Sequence, residues 1–190
     1  MAMLSQELIE QIGFGRVGKN ALISDMASYY NPSQIFLGNN VRIDDFCLLS
    51  AGMGGITIGD NVHIGPSCLL AGQGKITLSD FSGLSARVSI YSSSDDYSGS
   101  TMTNPTVPSE YTGVMHADVF FGKHVIIGSG SVILPGITLE EGVAVGALSL
   151  VTKNCMAFGI YAGHPAKRIR GRKQDLLHLE QRYLSNTLPQ

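Results

Sequence analysis

An aliphatic or aromatic residue returns every six positions along most of this chain. In groups of three the series runs Val17, Ile23, Tyr29; Leu37, Ile43, Leu49; Ile58, Ile64, Leu70; Leu78, Leu84, Ile90; Phe121, Ile127, Ile133; Leu139, Val145, Val151. Neither the 3.6-residue helix period nor the two-residue strand period produces a step of six. The steps between groups vary: eight residues from Tyr29 to Leu37, nine from Leu49 to Ile58, six from Ile133 to Leu139. Extra residues therefore enter only after every third hexapeptide. Three hexapeptides make one turn of about 18 residues, as expected of a stacked repeat, and insertions leave from one corner. The step from Ile90 to Phe121 is 31 residues, which predicts a long loop over 92–118 at that corner.

The implied shape is a triangular prism of about six coils, mainly β. Each hexapeptide supplies a short strand and a tight corner, and the aliphatic residue points inward. Strands of successive coils pair in parallel, so backbone groups are satisfied between coils. Corners need small residues or unusual backbone angles, and Gly-Asn-Asn at 38–40 and Gly-Asp-Asn at 59–61 provide them. This explains a composition of 23 glycines in 190 residues. Cys47 and Cys68 fall on the same small inward position one coil apart, which predicts core packing. Three cysteines without C-x-x-C spacing indicate neither a disulfide framework nor a zinc site.

Charged residues are only 15% and the net charge is −2. The chain lacks the basic surplus of a nucleic-acid binder, and 44% hydrophobic residues exclude a disordered one. No apolar run approaches a membrane span, and the N-terminus lacks a signal-peptide pattern. A cytoplasmic protein without membrane partners is expected. The open ends of a prism need caps. Residues 5–12, with Ser5 as N-cap, and residues 174–185, with Leu176, Leu179 and Tyr183 on one face, are predicted as the capping helices. One domain is expected over 1–190: a helical cap at 1–16, the prism at 17–156, and an extension with helix at 157–190.

The hexapeptide pattern over 17–156, with "GSVILPG", "VTK" and "G-x-PAK-x-I" in the tail run 132–172, resembles the left-handed parallel β-helix acyltransferases. The tail run 132–172 closely resembles the C-terminal coils of the sugar and xenobiotic acetyltransferases of that group. The resemblance implies a left-handed coil, a homotrimer with active sites at subunit interfaces, and acetyl-coenzyme A lying between adjacent prisms. Carried over residue by residue, the coenzyme contacts are Gly128, Ser129, Ala147, Thr152, Lys153, Pro165, Lys167 and Arg170. Small corner residues let a thin pantetheine chain approach the backbone, and the cations suit its phosphates. His164 stands where asparagine is common in the family. No metal is expected.

The acceptor side departs from the family, many of whose members use a loop histidine as general base. Here the run is Tyr91-Ser-Ser-Ser94-Asp95-Asp96-Tyr97, and Asp95 occupies the histidine position. The only histidine in 92–118 is His116. An ordinary aspartate titrates near 3.9, too low to deprotonate a hydroxyl easily, whereas an amine in the α-amino range near 8 is partly neutral without help. The pattern therefore points to N-acetylation of an amino sugar carried on a nucleotide diphosphate. Asp95 would orient the amine or take its proton. His116, His63 and His124 are the alternative bases, and Arg87, Tyr91, Ser94, Asp96 and Tyr97 are the expected acceptor contacts. A polar loop tip held by turn chemistry would also explain Asp95 and Asp96. O-acetylation and a non-catalytic scaffold are the competing functions. An anhydrase would need three histidine ligands, and His63 and His124 lack a third.

Overall fold

A computed structural model describes residues 2–187. The chain winds as a left-handed parallel β-helix with three flat faces. The first face stacks Ile35–Leu37, Ile56–Ile58, Ile76–Leu78, Val119–Phe121 and Thr138–Leu139. The second stacks Leu22–Ile23, Arg42–Ile43, His63–Ile64, Gly83–Leu84, Ile126–Ile127, Ala144–Val145 and Gly159–Ala162. The third runs from Ser28–Tyr30 through Leu48–Ala51, Leu69–Gly72, Ser89–Tyr91 and Val132–Ile133 to Leu150–Val151. These strands pair in parallel and in register, as Ile43, Ile64, Leu84, Ile127 and Val145 do on the second face. Inter-coil bonds such as Gly38 N–H to the Ile58 carbonyl, 2.8 Å, satisfy the backbone.

Sixteen of the eighteen hexapeptide positions are buried; Val17 and Tyr29, near the N-terminal end, are half-buried against the core. Each buried aliphatic side chain contributes about 1.5–3 kcal/mol, and the core is one continuous stack. Cys47 and Cys68 lie inside it, their thiols donating to the carbonyls of Gly65 and Ser85 at 3.1 Å. The left-handed backbone at the corner between first and second faces falls on Asn40, Asn61, Phe81 and His124. Side-chain amides of Asn20, Asn40 and Asn61 form a ladder along that corner, 3.0 Å per rung.

The prism extends past 156. Cys155 bridges to Leu139, and Tyr161 pairs with Val145, adding a partial seventh coil. The step from Val151 to Cys155 is four residues rather than six, and the inward residue is then tyrosine, so the repeat is masked.

Helix α1, Gln6–Ile12, closes the N-terminal end. Ser5 Oγ accepts the Leu8 N–H, and Ile9 is buried. The expected C-terminal cap is corrected. Helix α2, Asp175–Thr187, lies along the first corner instead, with Leu176, Leu179 and Tyr183 facing Phe81 and His124. The far end is closed by strand Lys167–Gly171, antiparallel to Gly159–Ala162. Arg172 turns the chain toward the helix, donating to the carbonyls of His124 and Gly142 at 2.8 and 3.1 Å. Among the described residues no helix is long and apolar enough to cross a membrane.

Candidate active site

The predicted site residues gather at two corners of the prism. At the corner between third and first faces, the long loop opens as a short hairpin. Ser93–Ser94 pairs antiparallel with Met115–His116. His116 Nδ1 lies 2.8 Å from Ser93 Oγ, which fixes its ring at the hairpin base. Asp95 follows directly, exposed, in a cavity of about 440 Å³ shared with Tyr91, Ser93, Ser94 and Tyr97. The cavity floor is Val132, Leu134 and Pro135 of the next coil, which the sequence reading missed.

Asp96 turns away from this cavity and organises the loop. Its carboxylate accepts the Ser98 N–H at 2.8 Å and the Thr101 N–H at 2.9 Å. The Ser98 hydrogen bond first, with those of Thr101, holds its carboxyl down to about 2. Turn chemistry thus accounts for Asp96 and leaves Asp95 unexplained by it. Arg87 is separated from the loop group: it occupies the left-handed position at the opposite end of strand Ser89–Tyr91.

The corner between second and third faces carries a column of small residues. Gly65, Ser85, Gly128 and Gly146 stand at equivalent positions, each N–H bonded to a carbonyl of the next coil at 2.8–2.9 Å. Pro66, Ala86, Ser129 and Ala147 follow them. Gly128 has no room for a side chain, because a Cβ would run into the Ala147 backbone nitrogen. The upper end of the column opens into a groove of about 180 Å³ beside His63, Gly83, Ser85 and Ile126. Gly83, Ser85 and Ala86 went unnoticed in the sequence; writing the hexapeptides in register puts Ser85 and Ala86 directly above Gly128 and Ser129.

The remaining donor candidates lie at the C-terminal end. Thr152 and Lys153 follow strand Leu150–Val151 at the loop corner. The turn 163–166 passes beneath Leu150, whose N–H donates to the Gly163 carbonyl at 3.0 Å while its carbonyl accepts the Ala166 N–H at 2.8 Å. Pro165 in this turn follows a cis peptide bond. Lys167 and Arg170 are exposed on the closing strand.

Two histidines separate clearly. His124 is only 11% exposed, stacked on Phe81 and bonded to Glu180 Oε2 at 2.8 Å. His63 keeps 52% of its side chain exposed, and its Nε2 lies 2.8 Å from Asp44 Oδ2. Asp44 also accepts Arg42 Nε at 2.7 Å. Burial alone would raise the Asp44 carboxyl, but the hydrogen bonds from Arg42 and His63 outweigh it and hold it below the ordinary value.

No protein-family model matches the chain. A curated relative does. The dTDP-4-amino-4,6-dideoxy-D-glucose acyltransferase of Escherichia coli is 53% identical over 180 residues, covering 95% of this chain and 94% of its own. The chain belongs to the hexapeptide-repeat dTDP-amino-sugar acyltransferases. Solved members of this acyltransferase group superpose along its whole length. AntD, an N-acyltransferase from Bacillus cereus solved with dTDP-4-amino-4,6-dideoxyglucose and coenzyme A, is 44% identical with a TM-score of 0.93, covering 97% of this chain and 98% of that one. The same enzyme with dTDP and 3-hydroxybutyryl-CoA is 45% identical with a TM-score of 0.93, covering 97% of each chain.

Proposed function

We propose that this protein transfers an acyl group from acyl-coenzyme A, with acetyl-coenzyme A as the simplest donor, to the amino group of a dTDP-linked 4-amino-4,6-dideoxy sugar. The observation that carries this reading is the near-full-length identity to an acyltransferase named for that acceptor. The loop chemistry agrees with it. The acceptor cavity holds a carboxylate, Asp95, where O-acetylating relatives would carry a base strong enough for a hydroxyl. The amine nitrogen attacks the thioester carbonyl, the carbon–sulfur bond breaks, and coenzyme A leaves as the thiol. Asp95 aligns the amine and accepts or passes on its proton. The Bacillus enzyme has been solved with substitutions at a serine and at an aspartate ten residues apart. Ser85 and Asp95 have that separation here, which supports both as site residues.

Coenzyme A would run along the small-residue column, with Gly128, Ser129 and Ala147 against pantetheine and Lys167 and Arg170 near the phosphates, while Thr152 and Lys153, at the loop corner, would come from the copy whose loop meets that column. Pro165 shapes the phosphate end. Tyr91, Ser94 and Tyr97 would contact the acceptor. In one protomer the loop corner and the column lie at opposite edges of the third face, so one copy's loop must meet another's column. A homotrimer with three interfacial sites satisfies this, and exposed Leu22, Phe46, Ile126 and Leu148 are apolar surface for a copy to cover. A cytoplasmic role in surface-polysaccharide synthesis fits such a substrate.

The experiment is a panel of nucleotide-linked amino sugars with acetyl-coenzyme A, read as free thiol, alongside calorimetry of coenzyme A binding. Thiol release with the dTDP-linked 4-amino sugar supports the reading. Absence of coenzyme A binding overturns it in favour of a non-catalytic scaffold.

A further inference from the structure

Among the described residues two histidines pair with a carboxylate, and the two pairs differ in what covers them. His124 is stacked on Phe81 and held by Glu180, so its ring is closed in. His63 is held at one ring nitrogen alone. Its Nε2 lies 2.8 Å from Asp44 Oδ2, while 52% of the side chain stays exposed. Gly83, in register one coil below, has no side chain to lay over the ring. The ring therefore lines the groove that also holds Ser85 and Ala86.

Asp44 is the exception in the small-residue column. Its N–H bonds to the Ile64 carbonyl at 2.9 Å, the inter-coil bond that Gly65, Ser85, Gly128 and Gly146 make in the coils below. A buried carboxylate thus stands where those coils keep glycine or serine. A buried charge is costly unless it is paired, and Asp44 is paired twice. Arg42 Nε donates to Oδ1 at 2.7 Å, and His63 Nε2 meets Oδ2. Burial alone would raise its carboxyl, but these bonds hold it below the ordinary value, so the carboxylate can only accept. His63 Nε2 then carries the proton, and Nδ1 of the neutral ring is an acceptor left to a ligand. Asp44 and Arg42 face the ring from the coil above, and the coil below presents Gly83 and Ser85.

We propose that His63, oriented by Asp44, carries the proton of the acyl transfer: Nδ1 takes it from the attacking amine and hands it to the sulfur of the departing coenzyme. This rests on the coenzyme path and the amine acceptor proposed above, since a thioester lying at Ser85 lies in the groove that His63 lines. The amine nitrogen bonds to the thioester carbonyl carbon, and the carbon–sulfur bond breaks with its electron pair on sulfur. The N–H proton goes to Nδ1. The imidazolium, stabilised by the Asp44 carboxylate as in other carboxylate–histidine pairs, then gives it to the thiolate. The ring ends neutral, and the products are the amide and the free thiol. Asp95, on the loop of another copy, aligns the amine, and His63 handles the proton.

Wild type, His63→Gln and Asp44→Asn test it as intact proteins, with molar mass from light scattering. Each is assayed for kcat and KM with acetyl-coenzyme A and dTDP-4-amino-4,6-dideoxyglucose, and followed by NMR of the imidazole nitrogens with and without coenzyme A. His63→Gln should lose about 10²-fold or more in kcat, with both KM values and coenzyme A affinity nearly unchanged. The His63 signals, identified by their loss in that variant, should show the Nε2–H tautomer in wild type and shift when coenzyme A binds. Asp44→Asn should lose less kcat and show a mixture of tautomers, the mark of a positioning role. Wild-type kcat in His63→Gln, or a loss confined to KM, overturns the proposal. So do His63 signals that coenzyme A leaves unmoved, a reading that needs no acceptor. If coenzyme A moves those signals but wild type acylates no amino sugar, the acceptor reading fails and the place of His63 beside the thioester stands.

Discussion

His124 Nε2 lies 2.8 Å from Glu180 Oε2, and this contact ties helix α2 to the corner of the prism. Lys123 Nζ reaches the other oxygen of the same carboxylate at 3.0 Å, and Tyr183 donates to Asn61 Oδ1 at 3.2 Å. The His124 hydrogen bond first, then Lys123, holds the Glu180 carboxyl below the ordinary carboxylate range.

A carboxyl with a lowered folded pKa contributes stability above its unfolded value, and that contribution is lost as pH falls through the folded one. Helix α2 should therefore loosen in acid before the prism does. Glu180→Gln should loosen it at neutral pH, at a cost of about 1–3 kcal/mol. Hydrogen exchange of the α2 amides checks both; α2 amides protected equally in wild type and variant would contradict the anchoring role.

Two glycines should respond oppositely to the same substitution. Gly128→Ala drives a Cβ into the Ala147 backbone and should destabilise by about 1–3 kcal/mol. Gly83→Ala meets open space and should not lower the melting temperature. Thermal unfolding of the two variants side by side decides this.

The stacked core predicts a uniform penalty for cavities. Leu70, fully buried between Leu49 and Ile90, should cost about 2–5 kcal/mol when truncated to alanine. Denaturant unfolding measures it, and a cost below 1 kcal/mol would mean that neighbouring coils collapse onto the gap.

The division of the site between two corners predicts complementation between copies. Asp95→Ala removes the loop carboxylate, and Ala147→Trp blocks the column. Each protein alone should be nearly inactive, and mixed assemblies should regain turnover because some interfaces pair an intact loop with an intact column. No recovery after verified subunit exchange would place both halves of the site in one protomer.

The prism was legible because an inward aliphatic must recur at each rung, and eighteen such positions in phase leave little freedom. The seventh coil was hidden by the four-residue step to Cys155 and by Tyr161 in place of an aliphatic. The path of α2 was hidden too. Its partners Phe81 and His124 hold left-handed corner positions where asparagine or glycine would be expected, so nothing flagged them as an aromatic seat. Asp95 was found because a motif position held an unexpected residue. Asp96 looked identical to it, and only the Ser98 and Thr101 hydrogen bonds distinguish them. Ser85 carries no motif, and its importance comes from lying on the column, directly above Gly128.

Transfer of the acyl group to nitrogen rather than oxygen is tested most directly on a matched pair of sugars. Purified protein, given acyl-coenzyme A, is assayed for thiol release with dTDP-4-amino-4,6-dideoxyglucose and with the matching 4-hydroxy sugar, each also with Asp95→Asn. Rapid release is expected with the amino sugar, little with the hydroxy sugar, and a marked loss in Asp95→Asn. Equal or faster turnover of the hydroxy sugar would contradict it.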